Sequence, residues 1–468
     1  MIRKLFSLLA TTVLISGCTL IPKYTRPEAP IPDAWPSGTA YKENFSTSEG
    51  KLPEDIKWQV FFIDERLKEV IGMALKNNRD LRVAGLNIEK ARALYRIQRA
   101  ELFPTIDAVG SVYKERIPAN ITGTGHTMTV EEDGLNLGIS SWELDFFGRI
   151  RSLKKKALEE YLATEQARRS AQISLVTEVA GAYLTLAADR ESLKLTEATL
   201  DVQQASYDLV RLRYEVGLVS ELDLRQAQTR VDAAKVDKAL FIRLAAQDEN
   251  ALNLLVGSSV PAELLPGDLE TVQSTKYFSS GISSEVLLKR PDILQAENLL
   301  KAANANIGAA RAALFPRISL TAAAGTASND LSGLFKAGSG AWSYAPQIIM
   351  PIFDSRLWWA VKAVKADREI VLTQYEKAIQ TAFREVADSL AVSGTVDEQL
   401  LAQQSLVDAS AETYRLATAR YLKGIDSYLS VLDAQRSLYV AQLRLIVIRL
   451  TKISNQVKLY AVLGGGSE

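Results

Sequence analysis

Arg213-Tyr214-Glu215-Val216-Gly217 closes a run from Arg149 that holds no proline and one interior glycine, Gly181. Arg420-Tyr421-Leu422-Lys423-Gly424 closes a second run of the same kind, 207 residues further on. At that offset Glu178-Val179-Ala180 meets Glu385-Val386-Ala387, Tyr207 meets Tyr414, Ser220 meets Ser427, and Gly257 meets Gly464. Upstream the offset drifts to 212, where Leu102-Phe103-Pro104 meets Leu314-Phe315-Pro316 and Asp80 meets Asp292. A unit of roughly 210 residues is therefore duplicated in tandem, and such self-similarity outranks any local reading.

A helix from 149 to 216 would be about 100 Å long at 1.5 Å per residue, several times the usual length. Its apolar residues fall in two heptad stripes. Val179, Leu186, Leu193, Leu200, Tyr207 and Tyr214 form one; Leu195, Val202, Leu209 and Val216 form the other. Positions two apart point roughly 200° apart around a helix, so the stripes lie on opposite flanks. A coiled-coil pair needs one seam. Two seams imply a neighbour on each side, as for a stave in a wall of helices. The second copy keeps the first seam (Val386, Leu400, Val407, Tyr414, Tyr421) and a thinner second one (Ala402, Ala409, Leu416).

The composition, 55 basic against 55 acidic residues, gives no charge excess that would suggest nucleic acid as a partner. Arg3-Lys4 precede an apolar run from Leu5 to Ile15, and Ser16-Gly17 stand before Cys18. The run is short for a spanning helix, so residues 1–17 read as a signal peptide. The small pair before a cysteine looks like a bacterial lipoprotein box that makes Cys18 the lipidated N-terminus. Thr19 rather than aspartate follows, which by the usual sorting rule implies release to the outer membrane. Cys18 is the only cysteine, so no internal disulfide exists. Residues 18–64, with Pro22, Pro27, Pro30, Pro32, Pro36 and Pro53, read as an extended tether without a core of its own.

Helix is expected from 65 to 101, stopping before Pro104. Period two then replaces period 3.6. Ile106, Ala108, Gly110 and Val112 alternate with Thr105, Asp107, Val109 and Ser111, and after a Gly/Thr-rich loop Leu135, Leu137 and Ile139 alternate with Asn136, Gly138 and Ser140. That pattern predicts strands. The long helix, the turn at Gly217 and a helix over 221–256 complete the first repeat, 65–257. A linker over 258–283, carrying Pro261 and Pro266, would form an irregular belt halfway along the staves. The second repeat, 284–464, predicts a helix over 284–314, strands around 318–326 and 342–350, and helices over 356–422 and 428–463. Residues 465–468 form a tail.

No segment after the leader shows the roughly 20 apolar residues of a spanning helix. The strands can instead cross a bilayer, which takes about 9–11 residues each. Aromatic residues sit where interfacial girdles would lie: Phe103, Phe146, Phe147, Phe315 and Phe353 at helix ends, with Tyr113, Trp342 and Tyr344 deeper. Four strands cannot close a barrel, and an open edge in lipid is forbidden. The barrel must be shared between chains. The competing reading is a lipid-anchored structural or adhesive coiled coil without a channel, which would need neither interposed hairpins nor duplication.

Specific runs carry a family resemblance over nearly all of 18–466. They are the box at Cys18, Arg79-Asp80-Leu81-Arg82, Tyr95-Arg96-Ile97-Gln98-Arg99-Ala100, Trp142-Glu143-Leu144-Asp145, Lys289-Arg290-Pro291-Asp292-Ile293, Asn304 to Arg311, Tyr428 to Gln435, and Leu463-Gly464-Gly465-Gly466. On these the chain resembles an outer-membrane efflux duct of the TolC-like family, in the lipoprotein branch typified by OprM. The resemblance implies a mixed α/β membrane protein: a homotrimer with a 12-stranded transmembrane β-barrel, four strands per chain, continued by a long periplasmic α-helical barrel. It implies docking to a periplasmic adaptor and an inner-membrane proton-driven RND-type pump, for passive exit of drugs and other small molecules. It implies no cofactor beyond N-palmitoyl and S-diacylglycerol on Cys18.

The sequence holds no catalytic constellation. Its single histidine, His126, lies in the loop Thr122-Gly123-Thr124-Gly125, and no thiol is left to pair with it. Control should reside at the turns of Gly217 and Gly424, the free end of a duct. Leu429 and Asp433, spaced i, i+4, share a helix face. On a face lining the bore, each chain would supply one leucine and one carboxylate, and similar proteins are gated at the matching positions. The first-copy counterparts are Leu222 and Gln226, so the carboxylate exists in one repeat only. Arg420 and Tyr421, with Arg213 and Tyr214, admit two readings: bonds to carboxylates such as Glu215, Asp208 or Asp223 that hold the staves closed, or seam tyrosines beside arginines favoured at a helix C-terminus.

Overall fold

The computed structural model describes residues 19–41, 56–272 and 283–466. The leader and Cys18 lie outside the described residues. The chain divides into two compact units: one gathers Asn87–Glu165 and Gln295–Tyr375 with the N-terminal segment up to Glu28, the other Ala29–Leu86, Gln166–Leu294 and Glu376–Glu468.

The first unit contains a four-stranded antiparallel sheet in the order β1 (Asp107–Ile117), β2 (Met128–Glu143), β3 (Arg317–Ser328), β4 (Gly340–Ile349). Each repeat supplies one hairpin. Asp107↔Gly138 and Ile117↔Met128 set the first register, and Arg317↔Ile349 the last. β2 pairs with β3 across the repeats, with a bulge between Ile139 and Trp142. With 11, 16, 12 and 10 residues the strands reach the length that a bilayer crossing needs, about 9–11 residues. β1 and β4 are the edges, and almost every residue of both is exposed. The strand-to-helix corner is held by Glu143, whose carboxylate accepts from Arg149 at 2.8 and 2.7 Å and pairs with Arg317 at 2.8 Å. Phe147 and Phe315 stack there at 5.0 Å.

The expected helix over 65–101 is two helices, α1 (Glu65–Asn77) and α2 (Arg79–Ala100). Asn78 is extended, and its side chain explains the break. Its Oδ1 accepts from Leu81 N–H at 2.9 Å as an N-cap, and its Nδ2 donates to the Leu255 carbonyl at 2.8 Å. The expected helix over 284–314 is likewise a 3₁₀ turn, Ser284–Lys289, followed by α5 (Pro291–Ala312), with Arg290 extended between them. Arg290 Nη1 donates to the Val462 carbonyl at 2.8 Å. Residues 255 and 462 are themselves repeat counterparts, so the break recurs with its hydrogen bond. The long helices are α3 (Arg149–Glu215), α4 (Glu221–Val256), α6 (Ser355–Leu422) and α7 (Tyr428–Val462), and a single short turn spans Trp58–Phe61.

The main core lies in the second unit, where Val179, Tyr183 and Leu186 of α3 meet Phe61, Ile71, Leu252 and Tyr460. One 18-residue window of α3 is apolar enough to cross a membrane by composition, contrary to expectation, but 56% of it is buried in the fold. The first heptad stripe of α3 is buried at Val179 and Leu186 and becomes exposed at Tyr214, whereas Val202, Leu209 and Val216 of the second are exposed. The part of the belt that is described crosses α3: the Tyr183 hydroxyl donates to Leu264 O at 3.1 Å and Arg190 to Pro266 O at 2.7 Å.

The described N-terminal residues 19–41 form an extended strap docked on the rest of the chain. In the first unit Asn304 donates to Pro22 O at 2.8 Å, while the Glu297 carboxylate accepts from Tyr24 at 3.2 Å, Lys301 at 3.0 Å and Arg26. In the second, Ser284 Oγ donates to Pro32 O at 2.8 Å, and Trp35 stacks on Phe383 at 5.0 Å.

Candidate functional site

The two turns of the repeats lie side by side in the second unit. Val210 of α3, Ala227 of α4 and Tyr428, Val431 and Leu432 of α7 form a small buried cluster there, flanked by Tyr207, Leu224, Tyr414 and Tyr421. Both long helices end in the same way. Gly217 at φ 77° accepts the left-handed conformation, its N–H donates to Tyr214 O at 2.9 Å, and Leu218 N–H donates to Arg213 O at 2.8 Å. Gly424 at φ 73° repeats this with Tyr421 O at 2.9 Å and Ile425 N–H on Arg420 O at 3.0 Å. This paired bond is a Schellman closure, which needs glycine at the positive-φ position. The following helices differ. Ser220 and Asp223 form a full capping box, whereas Ser427 makes no side-chain cap.

Arg213 and Tyr421 are brought together across the repeats. Arg213 Nη1 donates to the Tyr421 hydroxyl at 3.0 Å, and its guanidinium sits 5.2 Å from the ring centroid. Tyr421 also faces Tyr428 at 5.1 Å. Burial, helped by the neighbouring phenols of Tyr421 and Tyr414, pushes the Tyr428 phenol up to about 12. Within the chain, the carboxylates expected to serve Arg420, Tyr421, Arg213 and Tyr214 have other partners: Glu215 and Asp208 lie near Arg211 at 3.8 and 3.9 Å, and Asp223 caps α4. Arg420 instead pairs with Asp426 inside its own turn, at 2.6 and 3.1 Å, and holds that carboxyl below its usual range. Asp426 escaped notice in the sequence because Val219 stands at its first-copy counterpart. Tyr214 is half exposed and joins no buried cluster.

Leu429 and Asp433 both face outward on the first turns of α7, 58% and 64% exposed, and the Asp433 carboxylate pairs with Arg436 of its own helix at 2.6 Å. Leu222 of the first copy is equally exposed. In a single chain these groups thus remain available to a bore or to a neighbour. Trp358 and Trp359, exposed on the opening turns of α6, are aromatic residues that the alternation argument passed over because they follow the strands.

A family model described as outer membrane efflux protein matches residues 70–258 and 282–465, one segment per repeat. A toluene efflux pump outer membrane protein of Pseudomonas putida, TtgC, is 49% identical over all 468 residues, covering 96% of that protein. The antibiotic efflux pump outer membrane protein ArpC of Pseudomonas putida is 49% identical over the same spans. Among solved structures, the open state of the Neisseria gonorrhoeae MtrE outer membrane channel superposes with a TM-score of 0.86 at 35% identity, covering 96% of this chain and 99% of that one. These relatives are efflux channels rather than enzymes or adhesive stalks, so the stalk reading falls. The chain belongs to the outer membrane efflux protein family and is a channel protein of the bacterial outer membrane.

Proposed function

We propose that the protein is the gated exit duct of a tripartite multidrug pump, working as a homotrimer with a periplasmic adaptor and an inner-membrane proton-driven RND-type pump. One observation carries the reading: a four-stranded sheet of membrane-crossing length has two unpaired, exposed edges. In lipid each unsatisfied backbone group costs several kcal/mol, so the edges must be paired by other copies. Three copies give twelve strands. The exposed residues Val202, Leu209 and Val216 of α3 supply the matching helical contact. Cargo passes down its own gradient through the bore without chemistry on the chain.

Closure is assigned to the turns of Gly217 and Gly424. Leu429 provides an apolar ring and Asp433 an acidic ring, while Arg213–Tyr421 and Arg420–Asp426 hold the closed arrangement, with Tyr214 and Glu215 beside them. Cys18 carries the N-palmitoyl and S-diacylglycerol anchor. Cross-linking in outer membranes tests the assembly: one discrete trimer is expected, and a lipid-inserted monomer would overturn it. For the gate, Leu429→Ala should admit vancomycin-sized molecules in cells lacking pump activity; unchanged exclusion would remove Leu429 from the constriction.

A further inference from the structure

The helix α7, which carries Leu429 and Asp433, is fixed to its neighbours along only part of its length. Asn455 Nδ2 donates to Ser389 O at 2.9 Å and to Ser393 Oγ at 2.8 Å, both on α6. Lys452 pairs with Asp397 at 2.9 Å, and Arg449 with Glu191 at 3.3 Å. The series ends at residues 439–441. There the Tyr439 hydroxyl lies 2.8 Å from Thr196 Oγ1 of α3 and donates to Asp237 Oδ2 of α4 at 3.2 Å. Gln403 of α6 donates Nε2 to the Ala441 carbonyl at 2.9 Å. At one level, α7 is thus bonded to all three other long helices.

That level has a repeat logic. Gln403 stands 207 residues after Thr196, so the two long helices grip α7 from equivalent positions. Both side chains are buried, Thr196 at 0% and Gln403 at 6% exposure. A buried polar group that loses its partner suffers its full desolvation cost, so these bonds resist sliding. Closer to the turn the character changes. Among the described residues, the side-chain bonds of 428–438 stay within α7, namely Arg436 on Asp433 and Ser437 on the Asp433 carbonyl. The contacts of this segment with α3 and α4 are the apolar cluster around Val210, Ala227, Val431 and Leu432. Apolar contact is non-directional and allows a helix to roll where hydrogen bonds do not.

We propose that Tyr439, held by Thr196 and Asp237, together with Gln403 on the Ala441 carbonyl, is the fulcrum about which residues 428–438 turn when the duct opens. This rests on the gate reading above. The lever is about 16 Å long at 1.5 Å per residue, and Leu429 and Asp433 ride on it. The bonds at 449, 452 and 455 lie behind the fulcrum and stay made.

Spin labels on the full-length protein in lipid test this. Cys18 is the only native cysteine, and with its thiol blocked by the anchor proposed above, a cysteine introduced at Ser430 or Val447, both exposed, takes the label specifically. The turn is loosened by Tyr421→Phe, which removes the acceptor for Arg213. The distance between protomers at 430 should then shift, while that at 447 should stay within its starting distribution. Adding Tyr439→Phe should spread the shift to 447, and Thr196→Val should do the same should the phenylalanine variant fail to assemble. Equal movement at 430 and 447 with Tyr439 intact would overturn the fulcrum and leave the gate standing. A label at 447 that stays still in both node variants would overturn it too. No movement at 430 after Tyr421→Phe would sink the gate reading, and the fulcrum with it.

Discussion

Arg213 donates to the Tyr421 hydroxyl at 3.0 Å, and this bond joins the first repeat to the second. The reciprocal pair, Arg420 with Tyr214, is not made, because Arg420 is taken by Asp426. Two near-identical turns therefore carry different fastenings. Only one of them crosses between helical hairpins. Tyr421→Phe keeps the ring and its cation–π contact but loses the bond, worth about 1 kcal/mol net, or about a fivefold change in an equilibrium. Basal open probability in planar bilayers should rise by that order. Tyr214→Phe should leave it unchanged, and equal effects would strip the cross-repeat bond of its role in closure.

What the sequence made legible, and what it hid, follows from where the signals reside. The duplication, the long helices and the strands all rest on side-chain periodicity; the long helices and the second hairpin appear within a residue or two of their expected ends, whereas β1 runs five residues past its alternating stretch and β2 starts seven before its own. The break at Arg290 was legible but passed over, since Pro291 follows it and disfavours helix at the residue before; the break at Asn78 was hidden because asparagine is no breaker in isolation. Each of the two residues bonds to a carbonyl about 175 residues away in sequence. Docking of the strap was hidden for a similar reason: it is recognised through the Pro22 and Pro32 carbonyls, and backbone acceptors leave no mark on a sequence. At the turns, pairing by counterpart exposed the four residues of the two Arg-Tyr motifs. It could not expose Asp426, whose counterpart is Val219.

Asp433 is exposed and its ion pair with Arg436 spans one helical turn. Such pairs contribute about 0.3–0.5 kcal/mol, so Asp433→Ala should leave thermal stability nearly unchanged. Its effect belongs to the assembly. Three carboxylates around a narrow bore repel unless solvated or bound to a cation. The substitution should raise basal conductance and weaken block by divalent cations, whereas Gln226→Ala should do neither. Equal conductance and equal block in the two variants would return Asp433 to the status of a solvated helix residue.

The carboxyl groups of Asp189 on α3 and Asp248 on α4 adjoin each other, and Asp248 Oδ2 is buried without a hydrogen-bond partner. The adjacent Arg190 is spent on Pro266 O and Glu249. Burial first, and Asp248 second, push Asp189 up to about 6 from an ordinary 3.8; burial pushes Asp248 up as well. A carboxyl raised in the folded state prefers its proton there. Its stabilising effect is full below the unfolded value of about 4 and is lost as pH rises through the folded value. Asp248→Asn removes one charge of the pair. Its thermal midpoint should exceed the parent's at about pH 8 and converge with it near pH 4, and a constant difference across that range would show the pair does not share a proton.

The strap makes the last prediction. Gly308 of α5 lies so close to it that a Cβ there would stand 2.5 Å from Ile21 Cγ1 and 2.8 Å from the Ile21 nitrogen. The obstructing atoms include backbone, so a side chain at 308 must lift the strap rather than nudge a rotamer. Asn304, one turn earlier, would then lose the Pro22 carbonyl it now holds at 2.8 Å. Lys23 is the site to watch: it is exposed, yet the residues on either side are clasped by Asn304 and Glu297. Gly308→Val should make the chain cleavable by trypsin after Lys23 in the assembled protein, while the parent resists. Glu297→Gln should give an intermediate rate, since the amide keeps an acceptor oxygen but removes the charge that Arg26 and Lys301 share. Burial alone would raise the Glu297 carboxyl, but these cations outweigh it and hold the pKa low. The clasp should therefore persist at neutral pH and loosen only as pH falls through that lowered value. Parent-like resistance in Gly308→Val would mean that the strap reaches its groove without needing the glycine.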